Sequence, residues 1–253
     1  MSNSILSMEG VSKAYAADAP VLQDVTFELA PNQFLALVGP SGCGKTTMLR
    51  CISALMKPDS GVVFHAGEIF DDPPAWLSIV FQDYNRSLFP WLSVRRNVAL
   101  ALRDASKSER DDRVKEALDA VKLTHAADLY PWQLSGGMQQ RCALARSIVS
   151  VPKLLLLDEP FASVDAQTRI DLQDLVMDIC ARMSLSALLV THDIDEAVFM
   201  ADKVVVLSTR PARVVEEIEI NLPRPRNQLT TKETPEFLHL RHRVYSLVRA
   251  QAQ

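Results

Sequence analysis

The residues best placed to do chemistry are Gly39-Pro40-Ser41-Gly42-Cys43-Gly44-Lys45-Thr46, which follow the apolar run Phe34–Val38 and open a segment of helical pattern. Glycines reach backbone torsions closed to other residues. Consecutive N–H groups then converge into an anion-binding nest, and a helix start adds roughly half a positive charge. In this strand–loop–helix setting Lys45 can reach the β- and γ-phosphates of a nucleotide, and the Thr46 hydroxyl can ligate Mg²⁺. Thr47 continues the same turn and is grouped with the nucleotide-binding residues. Cys43, inside this loop and near a helix N-terminus, is expected to have a lowered thiol pKa.

A second constellation is Leu154-Leu155-Leu156-Leu157-Asp158-Glu159. Four apolar residues make a buried strand whose C-terminal end delivers two carboxylates, and strand C-termini are where open α/β sheets bind ligands. Asp158 can hold Mg²⁺ through water. Glu159 can polarise an attacking water as general base. The elements that must position these groups are legible from patterning. Strands are expected at Val25–Leu29, Phe34–Val38, Val62–Phe64, Leu77–Phe81, Lys153–Leu157, Ala187–Val190 and Val204–Leu207, with an edge strand at Val214–Ile220. Helices are expected from Lys45 to about Met56, over Ala166–Met183 and Ile194–Met200, and from Pro235 to Val248. Residues 86–150 read as mostly helical, including a helix with a capped start near Ser108. Fully apolar strands separated by helices imply a parallel sheet buried on both faces.

The composition allows this architecture. The chain has 253 residues, 48% hydrophobic and 23% charged, which is ordinary globular material with enough for a core. Net charge is −4, against a strongly basic nucleic-acid binder. Residues 221–253 hold six Lys+Arg and two Asp+Glu, a small basic tail on an acidic body. Four well-separated cysteines suggest neither a zinc site nor a disulfide framework, so reduced thiols are expected. Neither a secretory signal nor a stretch long enough to span a bilayer is expected.

Leu134-Ser135-Gly136-Gly137-Met138-Gln139-Gln140-Arg141 resembles the signature motif of ATP-binding cassette (ABC) proteins. Locally the triplet also fits a plain helix start, Ser135 capping and the glycines in the turn. Gly137 lies 17 residues before Leu154, the spacing the family keeps. Other positions match as well. Gln82 stands at the Q-loop glutamine. Ser163-Val164-Asp165 stands at the D-loop, which in the family more often carries Ala-Leu. His192 in Val190-Thr191-His192-Asp193 stands at the switch histidine, and Tyr15, 24 residues before Gly39, at the aromatic that stacks on adenine.

The resemblance implies an α/β fold of the P-loop NTPase type: a mostly parallel RecA-like core sheet, N-terminal antiparallel β strands and an inserted α-helical subdomain. The implied division is 1–85 with 151–220 for the ATP-binding core, 86–150 for the signature-bearing subdomain, and 221–253 for a tail. It also implies an ATPase binding ATP and Mg²⁺, with Thr46, Gln82 and Asp158 around the metal. Lys45, Gln82, Glu159 and His192 would be catalytic. Two cassettes, identical or different, would sandwich each ATP between one phosphate loop and the other's Ser135–Gly137, with Asp165 beside it. Ser87-Leu88-Phe89-Pro90-Trp91-Leu92-Ser93-Val94 with Asn97-Val98, and the tail around Leu222-Pro223-Arg224-Pro225-Arg226, resemble the nitrate/sulfonate/taurine importer cassettes.

That implies separate permease subunits, indirectly a substrate-binding protein, and a peripheral place on the cytoplasmic side of the inner membrane. Leu88, Phe89, Pro90 and Trp91 would anchor the permease. No nucleic-acid partner is expected. The alternatives are a non-transport ABC ATPase, acting on nucleic acid or as a regulatory module, and an inactive ATP-binding regulator, against which Glu159 and His192 speak.

Overall fold

The computed structural model describes residues 4–16, 19–83, 87–102 and 104–251. The chain forms two compact units, Met1–Pro74 with Ser186–Gln253, and Ala75–Leu185. The boundary expected at 85/86 falls on residues outside those described.

In the first unit, β1 (Leu6–Ala14) is the middle strand of an antiparallel sheet, flanked by β2 (Pro20–Leu29) and β4 (Ser60–His65). A second group of strands builds the core. β3 (Phe34–Val38) lies between β7 (Ser186–Val190) and β8 (Lys203–Leu207), parallel to both. Every residue of β3 and β7 is buried, which is why both sequences are apolar nearly throughout rather than alternating. β9 (Val214–Glu219) closes the edge antiparallel to β8 and does alternate. Its Glu217 takes a hydrogen bond from Lys203 at 3.0 Å, so the edge carries charge.

Helix α1 (Lys45–Ile52) follows the loop that leaves β3. It stops short of the expected Met56, because Ser53 caps it and Ala54 turns to φ 57°. Helix α6 (Ile194–Met200) follows β7, and α7 (Pro235–Gln251) packs beside it, burying Phe237, Leu240 and Val244. Such apolar burial is worth about 1.5–3 kcal/mol per large side chain.

In the second unit β5 (Leu77–Val80) and β6 (Leu154–Asp158) pair in parallel. With them go α2 (Val94–Ala99), α3 (Lys107–Ala120), α4 (Gly136–Ile148) and α5 (Ala166–Met183). The cap of α3 is Ser106, two residues before the expected Ser108, and its hydroxyl accepts the Glu109 N–H at 3.3 Å. Asn97, fully buried, organises the loop before α2. Its amide takes the Phe89 N–H at 2.8 Å and donates to the carbonyls of Phe89, Leu92 and Ser93 at 3.1, 2.9 and 3.2 Å. Arg146 on α4 donates to the Ser87 carbonyl at 2.6 Å and to its hydroxyl at 2.8 Å. The loop is therefore fixed at both ends. The expected four-residue apolar anchor divides: Leu88 is core, whereas Phe89 and Trp91 stand exposed in edge-to-face contact at 5.3 Å.

Candidate functional site

The phosphate loop belongs to the first unit. Gly42 sits at φ 75° and Gly44 at φ 125°, in the region that favours glycine. A Cβ on Gly44 would meet Val21 Cγ1 at 2.9 Å, so this position is closed on steric grounds as well. Around Gly42 there is only open space, and Ser41 and Gly42 are exposed.

Gly44 caps α1 without any side-chain hydrogen bond, and the first turn holds no acidic residue. The other described α-helices start differently. Ser93, Ser106, Ser135, Asp165, Asp193 and Thr234 each accept a backbone N–H in the first turn with a side-chain oxygen. The first-turn donors of α1 are thus left for an anion. Lys45 is buried, and its ammonium donates to the carbonyls of Gly39 at 2.9 Å and Pro40 at 3.1 Å, at the rim of the nest. Such bonds can be exchanged for phosphate oxygens with small side-chain movement. Thr46 is exposed at the same helix start, an oxygen donor of the hard kind that Mg²⁺ takes.

The Cys43 expectation is overturned. Its thiol is buried, and burial pushes its pKa up; the nearby Lys45 charge and the backbone hydrogen bonds only partly offset this. Desolvation wins over the helix start.

Tyr15, 57% exposed, hydrogen-bonds the Thr47 hydroxyl at 3.1 Å, which orients its ring while leaving it accessible. His192 is exposed at the end of β7. Its neighbours are tightly bonded: the Thr191 hydroxyl donates to buried Glu196 at 2.7 Å and accepts the Asp193 N–H at 3.0 Å, while Asp193 caps α6 through the Glu196 N–H. Motif matching passes over Glu196, although the Asp-x-x-Glu spacing after a strand is a legible helix-start signal.

In the second unit Asp158 is buried at the end of β6 and Glu159 follows it at φ 44°. A glutamate in this region carries backbone strain, which clusters at functional positions. The Gln82 amide donates to the Glu159 carboxylate at 3.2 Å. This brings together two residues 77 apart in sequence, as a Q-loop and a base would require. The Gln82 carbonyl oxygen and the Asp158 carboxylate are hard donors too, of the kind that Mg²⁺ takes.

Ser135 and Gly136 are exposed at the start of α4, and the Ser135 hydroxyl accepts the Met138 N–H at 3.3 Å. A Cβ on Gly137 would lie 2.5 Å from Thr168 Cγ2, so this glycine has a packing reason of its own. Thr168 is also the partner of Asp165, whose carboxylate accepts the Thr168 N–H at 3.0 Å and caps α5. Hydrogen bonds from Thr168 hold the Asp165 carboxyl below the usual carboxylate range. Signature and D-loop thus meet at Thr168, a residue that motif matching does not single out.

Among known proteins, a family model described as "ABC transporter" matches residues 22–162. The nitrate import ATP-binding protein NrtC of Synechococcus elongatus is 44% identical over 91% of this chain and 35% of its own length. The bicarbonate transport ATP-binding protein CmpC of the same species is 41% identical over 97% of this chain and 38% of its own length. The chain therefore spans little more than a third of these relatives. The dimeric post-hydrolysis structure of the ATP-binding cassette MJ0796, bound to ADP and Pi, aligns with TM-score 0.73 and 30% identity over 85% of this chain and 98% of that one.

Proposed function

The chain belongs to the ABC transporter family, with the P-loop NTPase fold that goes with it, and from that premise we propose that it is the ATP-hydrolysing subunit of an importer. ATP enters the nest of Gly39–Thr47, Tyr15 stacks on the adenine, and Lys45 bonds the β- and γ-phosphates. Mg²⁺ held by Thr46, Gln82 and Asp158 would neutralise charge on the terminal phosphates when bound. Glu159 takes the proton of the attacking water, Gln82 orients Glu159, and His192 donates to the γ-phosphate oxygens. The observation that carries this reading is the Gln82–Glu159 hydrogen bond, which pairs a carboxylate of strained backbone with an amide able to aim it.

Each cassette supplies only half of the closed site. A second copy lays Ser135–Gly137 over the γ-phosphate with Asp165 alongside, and hydrolysis releases it; the dimeric state of MJ0796 with ADP and Pi supports the pairing of two copies. Driving such a pair from 1:99 to 99:1 takes about 5.5 kcal/mol of differential binding. Several charge-assisted hydrogen bonds at about 1.5–3 kcal/mol each can supply that.

Among the described residues no helix is long and apolar enough to cross a membrane; in this reading the cassette docks on the cytoplasmic side of separate permease subunits. Exposed Phe89 and Trp91, on their fixed loop, are the contact offered to them. The names of NrtC and CmpC favour a small planar oxyanion such as nitrate or bicarbonate as the solute, ahead of sulfonates or taurine.

The decisive experiment is Glu159→Gln. ATP binding stays, turnover falls by about 10²-fold or more, and an ATP-bound dimer accumulates on size exclusion. Normal hydrolysis by the variant would remove Glu159 from the role of base. Copurification with a polytopic membrane protein tests the importer assignment.

A further inference from the structure

The chain after β9 returns to α6, the seven-residue helix that starts two residues after His192. A helix this short has no stability of its own in water and takes its position from what holds it. Its last carbonyls are held by two arginines of the tail. Arg226, with a fully buried side chain, donates to the carbonyls of Phe199 at 2.9 Å and Ala201 at 2.7 Å, and reaches Ile220 at 3.3 Å. Arg224 donates to the Met200 carbonyl at 3.0 Å and the Asp202 carboxylate at 2.7 Å. Burial pulls the Arg226 pKa down to about 10, still charged at neutral pH. Cations at a helix C-terminus satisfy the orphan carbonyls and complement the dipole.

The opposite end of α6 is held as well. Arg241 on α7 pairs with Asp195 at 3.5 Å, and Arg241, His242 and Tyr245 form one wall of a groove of about 430 Å³ whose other wall is His192, Ile194 and Asp195. Lys232 lies 4.7 Å from the centre of the Phe199 ring. The tail therefore grips α6 at its end, its flank and its start.

We propose that the tail, residues 222–245, is a clamp that positions His192, with Arg226 and Arg241 as positioning residues for ATP hydrolysis. The proposal rests on the reading of His192 as the γ-phosphate donor. The Leu-Pro-Arg-Pro-Arg stretch thereby gains a role, since its two arginines set where α6 ends and so where His192 begins. Whatever shifts the tail changes hydrolysis while leaving the phosphate loop and ATP binding alone.

The test uses the full chain, single-turnover hydrolysis, equilibrium ATP binding and hydrogen exchange. Arg226→Met is expected to lower the hydrolysis rate about tenfold and Arg241→Ala about threefold, as a displaced catalytic group does. ATP affinity should stay within about twofold, because the phosphate-loop contacts are untouched. Amides 196–200 should exchange faster while those of β3 do not. The charge swap Asp195→Arg with Arg241→Asp should recover the Arg241→Ala loss, and it serves if Arg226→Met does not fold. In a His192→Ala background the tail variants should cost nothing further. Unchanged exchange at 196–200 in Arg241→Ala, or rate losses that persist in the His192→Ala background, overturn the clamp. Full hydrolysis by His192→Ala alone would instead strike the role of His192, and the exchange data would still judge the clamp.

Discussion

Two helix starts in this molecule are rich in glycine, and they are built on opposite principles. At α1 the glycines supply torsions: Gly42 and Gly44 sit at φ 75° and 125°, and no side chain caps the first turn. At α4 no glycine has a positive φ. Ser135 caps the turn, and Gly137 is small because Thr168 stands where a Cβ would go. The first start is an open cradle whose donors await an anion. The second is a finished helix terminus with an exposed serine and glycine on its rim. A single chain thus carries one helix start with its backbone donors left uncapped and one whose first turn is closed by its own serine.

That contrast can be broken by substitution. The largest effect is expected from Gly44→Ala, which forces a Cβ onto Val21 at a torsion alanine avoids. It should cost about 2–3 kcal/mol in denaturant titration and abolish measurable ATP binding. Next is Gly137→Ala, expected to cost about 1–2 kcal/mol through overpacking. Thr168→Ser deletes the offending methyl, so the double variant should recover most of that loss; purely additive melting temperatures would refute the packing account.

Ser135→Ala should cost about 1 kcal/mol as a lost cap, and Ser135→Gly only about a few tenths. If instead Ser135→Ala leaves stability unchanged but prevents ATP-dependent dimerisation, the hydroxyl serves the partner copy and not its own helix. The smallest effect concerns Cys43. With its thiol pKa raised, iodoacetamide labelling at about pH 7.5 should be slower than for an exposed cysteine and should keep increasing with pH to beyond about 9. Rapid labelling at neutral pH would restore the view that the helix start activates it.

Much of the frame is legible in the sequence. Ala166–Met183, Ile194–Met200 and Phe34–Val38 coincide with observed elements, because caps and uninterrupted apolar runs mark their ends. β1 is harder: its alternation is broken by register shifts between Met8 and Ala14, so its pattern fits no single period. The motif residues are found by type and spacing. What sequence does not carry is anything set by packing: the burial that raises the Cys43 pKa, the methyl behind Gly137, the left-handed backbone of Glu159, or the arginines that reach back from the tail to α6. Each is decided by the three-dimensional surroundings, largely by neighbours distant along the chain.

By satisfying four main-chain groups with one buried amide, Asn97 makes the 89–93 backbone independent of the side chains it displays. Phe89 and Trp91 can then be exchanged for other residues without reshaping the socket that carries them. The shape of this loop is therefore decided by the amide beneath it and not by its two outward tips.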